Sequence, residues 1–507
     1  MIKTLLCGLC FLASGITSLL SADSPPRFRI DHIPAYTPGD VADSPQGKEF
    51  ANLFERGQIK AAVKVAEAAI AAQQPVGHFL LGYLAEHPAD RAARDLLNAE
   101  KHYRDGVKKD HLPASVNLAA LLLRQNPRSD EAAILLNAAA DRDPKIAGFF
   151  LGIASLSGAN GTPNVTHTVH LWTQSGEAGH AIAWRHLGFL HQGVFGFSPE
   201  VSDAKAFSAF EKAAGLGDAE SAVRLAVVIL ESGDKIGHKA EEAEAWFGKA
   251  GSSNEPSALY LLGQVREQGV KTMAANPQAA RQIYQQAAAL KHAPSMVKLG
   301  HLLEFGIGGD TSLEQAVVWY RKAMDLGDGE ACYKLALLAR QGKGLAVSEA
   351  EAFKLFLQAG IREFAPAATE IGDAYRFGTG ITPDPFAAVT WLSRAVEAGD
   401  PDAMVSLSEM MLSSQGIPYN ASLLGQLTQR AFTVGNPRAG LLLARMAERG
   451  IGDEKNLPKA LALYRWAAEK KMTEAVEAAE ALQKNFTAEQ LQAADQIRQE
   501  LSAGRSR

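Results

Sequence analysis

Cysteine is nearly absent: the 507-residue chain has three, and two of them, Cys7 and Cys10, fall within its first stretch, residues 1–22. If that stretch is removed, Cys332 alone remains, which excludes an intramolecular disulfide and leaves stability to packing. Cys332 sits in the apolar run Ala331-Cys-Tyr-Lys-Leu-Ala-Leu-Leu-Ala339 and reads as a buried structural thiol. Positive charge is not in excess, with 51 Lys and Arg against 56 Asp and Glu and a formal charge of −5. That balance opposes a general nucleic-acid binder, whose affinity comes from neutralising phosphates. Signatures of catalysis are missing too: no phosphate-binding Gly-x-x-x-x-Gly-Lys loop, no His-Glu-x-x-His, no Gly-x-Ser-x-Gly. Ser202-Asp-Ala-Lys205 matches the Ser-x-x-Lys spacing of serine-lysine nucleophiles but lacks a Lys-Thr-Gly partner. The expectation is a protein that is not an enzyme and uses no cofactor.

Residues 1–22 combine Lys3, an apolar run at 5–12 that resumes to Leu20, and small residues ending in Ala22. This is the pattern of a secretory signal peptide, and it predicts an exported protein, periplasmic or extracellular, with no membrane span after leader removal. A retained N-terminal anchor is the alternative reading. Cys10 follows Leu9 where lipidation wants a small residue, so a lipoprotein is disfavoured. Residues 23–45 hold five prolines and little periodic apolar character, which predicts an extended tether.

Beyond residue 45 the chain copies one unit. A small residue following an apolar one marks each copy: Gly82, Ala119, Gly152, Gly188, Ala226, Gly263, Gly300, Ala336, Gly372, Ser408 and Ala444, spaced 33 to 38 residues apart. Each marker lies on an amphipathic segment that closes on glycine, as at Gly306, Gly342, Gly378 and Gly450. A second segment with i, i+3, i+4, i+7 apolar spacing follows and ends at Gly217, Gly327, Gly399 or Gly435. Pro277, Pro383 and Pro458 fall at the connections, where a fixed φ suits a new helix start. Gly or Ala at the marker allows close helix approach, and Trp319, Trp391 and Tyr464 are expected to fill the space between pairs. No single pair buries its apolar faces alone, so a fixed period in this range predicts a solenoid.

The pattern A-x-x-x-LG-x-x-Y/L-x-x-G-x-G, followed by A-x-x-WY-x-KA-x-x-x-G, resembles the Sel-one-like repeat, a longer-loop relative of the tetratricopeptide repeat. The resemblance covers residues 77–480 and is strongest from Gly188 to Gly450, whereas the first units carry Glu86-His87-Pro88 and Arg124-Gln125-Asn126-Pro127 in place of the Gly-x-Gly loop. It implies an all-α fold, an α/α solenoid forming a right-handed superhelix of about eleven helix-turn-helix repeats of roughly 36 residues. Helices within 46–76 and a helix and tail within 481–507 are expected to cap the array.

Five of thirteen histidines, His167, His170, His180, His186 and His191, crowd one stretch. A metal site and loop or helix-cap histidines are the two readings, and zinc would need three or four converging ligands. Phe195 and Phe197 in the following loop either dock a partner or pack over the repeat edge. By the tetratricopeptide resemblance, first helices line a concave wall, and the residues one and four after each marker point into it. The candidates are Gln264, Glu267, His301, Glu304, Arg340, Asp373, Arg376, Glu409, Arg445 and Glu448, together with the apolar Phe189, Val227 and Leu230. This mixture suits another protein or peptide, so the predicted function is an exported protein-interaction scaffold or adaptor. The alternatives are a cell-wall or carbohydrate binder and, by analogy with cysteine-rich members of the family, a β-lactam-hydrolysing enzyme.

Overall fold

The computed structural model describes residues 35–88, 94–159, 161–197, 201–271 and 273–503. The leader at 1–22 and most of the proposed tether lie outside them. Among the described residues there are 26 α-helices, one short 3-10 helix, Pro38–Val41, and no strands. None of these helices is long and apolar enough to cross a membrane. Two compact units divide the chain, one ending at Thr311 and one beginning at Ser312.

Helix pairs succeed one another at the predicted period, and each is named below by its marker. The Gly263 pair joins Pro256–Gln268 to Pro277–Ala289; the Gly372 pair joins Ala367–Phe377 to Pro385–Glu397. The fold is an α/α solenoid. Its local rules are visible at the ends of the helices. Asn276, Ser348, Asp384, Asn420 and Asn456 cap second helices by accepting the backbone N–H two or three residues on, each contributing about 1 kcal/mol. Ser202 is one more such cap, accepting the amide of Lys205, and its Ser-x-x-Lys spacing is thereby explained without chemistry. First helices close on left-handed glycines, Gly342 and Gly378 among them, at φ of 68° and 74°.

The marker is where the two helices of a pair meet. A Cβ on Gly263 would stand 2.5 Å from the ring of Tyr284, and one on Gly82 would stand 2.6 Å from Tyr103. Gly372 receives Leu392 in the same way. At Ser408 the facing residue is Thr428, whose hydroxyl lies 3.2 Å from that of Ser408, so a polar marker is matched by a polar neighbour. Tyr464 is buried as expected, but Trp319 is only half-buried beside the fully buried Tyr320. Trp391 is half-buried and packs on Gly360 of the preceding pair, as expected for a residue between pairs.

Within each unit successive first helices touch: Ala219–Ile236 packs on Pro256–Gln268, and Pro401–Leu412 packs on both Ala367–Phe377 and Pro437–Arg449. They form the tighter inner side, with the second helices outside. At the N-terminus Pro45–Glu55 and Ile59–Ala71 precede the Gly82 pair. At the C-terminus Thr473–Gln483 and Ala488–Ala503 make one further pair, with Leu491 and Leu501 packed on the core. The expected tether at 23–45 is not free throughout, because Tyr36, Pro38 and Val41 are buried against the first unit.

Candidate functional site

A helix presents residues three, four and seven apart on one face. On the inner helices of the second unit this face carries charge, and neighbouring helices share it. Arg340 donates to Glu370 at 2.6 Å from one first helix to the next. Arg376, on the same helix as Glu370, donates to Glu409 at 2.9 Å, and Arg438 reaches Glu409 from the other side at 3.1 Å. Asn436 donates to Asp402 at 2.8 Å, and Arg445 bonds Glu474. Asp373 lies among these groups. Burial pushes its carboxyl above the ordinary aspartate range, against the opposing pull of a hydrogen bond from Ser406 and of Arg438 and Arg376.

Arg340, Glu370, Asp373, Phe353 and Phe377 line one open cleft. Phe377 is 63% exposed, with the Arg376 guanidinium 4.6 Å over its ring. Arg340 in turn stands 5.3 Å over Phe356. An apolar ring beside partly paired cations and a carboxyl of raised pKa recognises chain-like polar ligands: it offers hydrogen bonds, charge and one hydrophobic contact, with no nucleophile activated by a base.

Six of the ten predicted residues therefore lie in this second unit, and Arg340 and Asp373 share the cleft. Two others have a different role. Glu448 accepts the hydroxyl of Tyr464 at 2.6 Å, and in the first unit Glu267 accepts that of Tyr284 at 2.8 Å. Glu86 and Tyr103 repeat the arrangement at 2.7 Å. Glutamate four residues after the marker is the acceptor for a tyrosine twenty or so residues after it, a partner for a buried hydroxyl. Glu304 and Tyr320 occupy the same two positions. Gln264 is 2% exposed, and its amide donates to the Tyr260 hydroxyl at 3.2 Å, so it is not presented to a partner. Phe189, Val227 and Leu230 are buried as well. His301 stacks near Phe305, with ring centres 4.8 Å apart.

Sequence reasoning missed Glu370, Arg438, Glu474 and Phe377. Arg438 and Asp402 each lie six residues before their markers, seven before the residues already chosen, so extending the face by two helical turns finds them.

The histidine cluster is core. His186 is buried among Phe149, Trp172 and Phe189, and burial lowers its pKa to about 3. His180 caps its helix, faces Phe149 and is lowered to about 4 by burial, then by Lys145. Phe195 and Phe197 pack over the repeat edge. Among the described residues no three His, Cys, Asp or Glu side chains are grouped to hold a metal ion. Cys332 is buried and its thiol pKa is raised by that burial.

The Sel1 repeat model matches residues 219–255, 256–292, 293–328, 329–361, 365–400 and 438–472. This chain is a Sel1-repeat protein. The unmatched pairs, at Gly82, Ala119, Gly152, Gly188 and Ser408, have the same two-helix build. Among solved structures, a protective antigen of uropathogenic Escherichia coli displaying an SLR fold superposes with a TM-score of 0.51 at 21% identity, covering 87% of this chain and 94% of that one. Among curated proteins, chitin synthase regulatory factor 3 of Schizosaccharomyces pombe is 27% identical over 48% of this chain and 27% of its own length. An uncharacterized protein of Neisseria meningitidis serogroup B is 26% identical over 58% of this chain and 51% of its own. Chitin synthase regulator SKT5 of Saccharomyces cerevisiae is 29% identical over 54% and 36%. The chain thus spans between a quarter and a half of the length of these relatives. Sel1-repeat proteins act as protein-interaction scaffolds.

Proposed function

We propose that this Sel1-repeat protein is an exported adaptor that binds a segment of another protein on the inner face of its second unit. The observation that carries the reading is the cleft of Arg340 and Asp373 beside exposed Phe377, where polar recognition adjoins an unburied aromatic ring. The relatives named as chitin synthase regulators favour a regulatory part over a catalytic one. Export rests on the leader pattern of residues 1–22 and is tested by the N-terminus of the purified protein, which is expected at Asp23; an intact Met1 on all of the protein would overturn it. The acidic balance favours a protein ligand over nucleic acid.

In-cell crosslinking followed by mass spectrometry tests the adaptor reading, with Phe377→Ser as the comparison. One or a few proteins crosslinked to the natural chain and lost with Phe377→Ser, at unchanged helicity, support it. An identical crosslinked set in both would remove the cleft from the proposal. Charge reversal at Arg340 and Arg376 is a poorer probe, because both guanidinia hold neighbouring helices together.

A further inference from the structure

A second place for a peptide lies in the first unit, and the chain itself fills it. Residues 35–37 run extended before the 3-10 turn, with Thr37 at φ −106° and ψ 166°. The backbone N–H of Tyr36 donates to Asn117 Oδ1 at 2.9 Å, and the Tyr36 carbonyl accepts from Asn117 Nδ2 at 3.0 Å. One amide side chain thus pairs with both polar groups of one extended residue, as a neighbouring β-strand would. The Tyr36 hydroxyl donates to Asp143 Oδ2.

Both holding residues are fixed by groups that do not belong to the segment they hold. Asn117 is 3% exposed on the inner helix Leu112–Gln125, and its Nδ2 also donates to the Tyr103 hydroxyl at 3.3 Å. Behind Tyr103 stands the buried Glu86, which Arg124 neutralises. Asp143 spends Oδ1 on the backbone N–H of Lys145 at 2.8 Å and of Ile146 at 3.2 Å, leaving Oδ2 toward Tyr36. Fixed, buried donors and acceptors of this kind lose little order on binding, the usual condition for affinity from few contacts. They also demand an occupant, because a buried amide without partners is costly.

We propose that the inner face of the Gly82, Ala119 and Gly152 pairs is a peptide-binding groove for an extended, tyrosine-containing segment of a partner protein, and that residues 35–37 occupy it in cis as an internal competitor. Asn117 reads backbone and is indifferent to sequence; Asp143 reads the hydroxyl and selects tyrosine over phenylalanine. The groove is separate from the cleft of the second unit, so either assignment stands without the other. A partner segment gains access when it outcompetes Tyr36, whose tethering gives it a high effective concentration.

The test is fluorescence anisotropy with a labelled peptide of residues 35–41, Ala-Tyr-Thr-Pro-Gly-Asp-Val, and the full chain. Tyr36→Ala is expected to bind the peptide at least tenfold more tightly than the natural chain does. In the Tyr36→Ala background, Asn117→Asp is expected to abolish binding. The same peptide with phenylalanine for tyrosine should bind about tenfold more weakly, and that preference should vanish with Asp143→Ala, a change near the helix start that spares the buried amide. No binding to Tyr36→Ala, equal binding to the natural chain, or a tyrosine preference that survives Asp143→Ala would each overturn the proposal.

Discussion

The two units are built from the same helix pair, yet their inner faces are used in opposite ways. In the first unit the face is largely filled. Phe189, Val227 and Leu230 are buried, Arg185 and Arg224 are drawn onto buried Glu220, and residues 35–37 lie across the earliest pairs. In the second unit the corresponding positions carry arginines and carboxylates, half-exposed and shared between successive helices, with Phe377 open to solvent. A repeat backbone therefore sets where a face exists, while a few side chains decide whether it is core or surface. Histidine divides in the same way, since all thirteen precede residue 312.

Removing the central acid in each unit is the strongest way to break this comparison. Burial alone would raise the Glu220 carboxyl, but Arg185 and Arg224 outweigh it and hold its pKa lowered to about 2. Glu220→Ala strands two largely buried guanidinia and should cost roughly 3–5 kcal/mol in urea unfolding. Glu409→Ala frees Arg376 and Arg438 where water can reach them, and should cost about 1–2 kcal/mol. Equal losses would mean that the faces do not differ in burial.

Acid should separate the units next. His186 has a folded pKa near 3, below its unfolded value, so the unfolded chain binds the proton first as pH falls. Its contribution is fully present above about pH 6.5 and is lost below it, by roughly 2 kcal/mol at pH 5. His180 acts in the same direction. The second unit holds no histidine, and Asp373, with its raised pKa, favours folding slightly more as pH falls through the carboxylate range. Hydrogen exchange at pH 5 and pH 7 should show protection lost at low pH in the first unit alone; uniform loss would contradict the assignment.

The tyrosine–glutamate pair sharpens what the units share. Tyr284→Phe should cost about 1–2 kcal/mol by leaving Glu267 without its donor, and a double-mutant cycle with Glu267→Met should return a coupling of about 1 kcal/mol. The same cycle at Tyr464 and Glu448 should agree within about 0.5 kcal/mol. Disagreement would show that the two bonds are not one repeated device. Least of all, Phe377→Ser should change stability by under about 0.5 kcal/mol, since its ring is exposed.

Much of the fold was legible because helical repeats write their packing locally. A small marker, an aromatic or large residue twenty positions later and a glycine or asparagine at each end recur whether or not the loop carries its usual glycines, and the Gly82 pair folds like the Gly263 pair for that reason. The link between glutamate and tyrosine was equally open to reading, since each such glutamate is matched by a tyrosine at the facing position of its own pair. It was missed because a charged residue on a helix face reads as surface until the hydroxyl it accepts is seen. The histidines misled for a related reason: composition signalled ligands, whereas His186 is held neutral in an aromatic core.

By itself the amino-acid sequence determined the helices, their pairing and their period, because each depends on contacts within about forty residues. Only the tertiary structure decided which inner-face charges are shared between helices and that Tyr36 lies on Asn117, eighty-one residues away. Such pairings are set by which faces the stacked repeats bring together, and no local spacing records them.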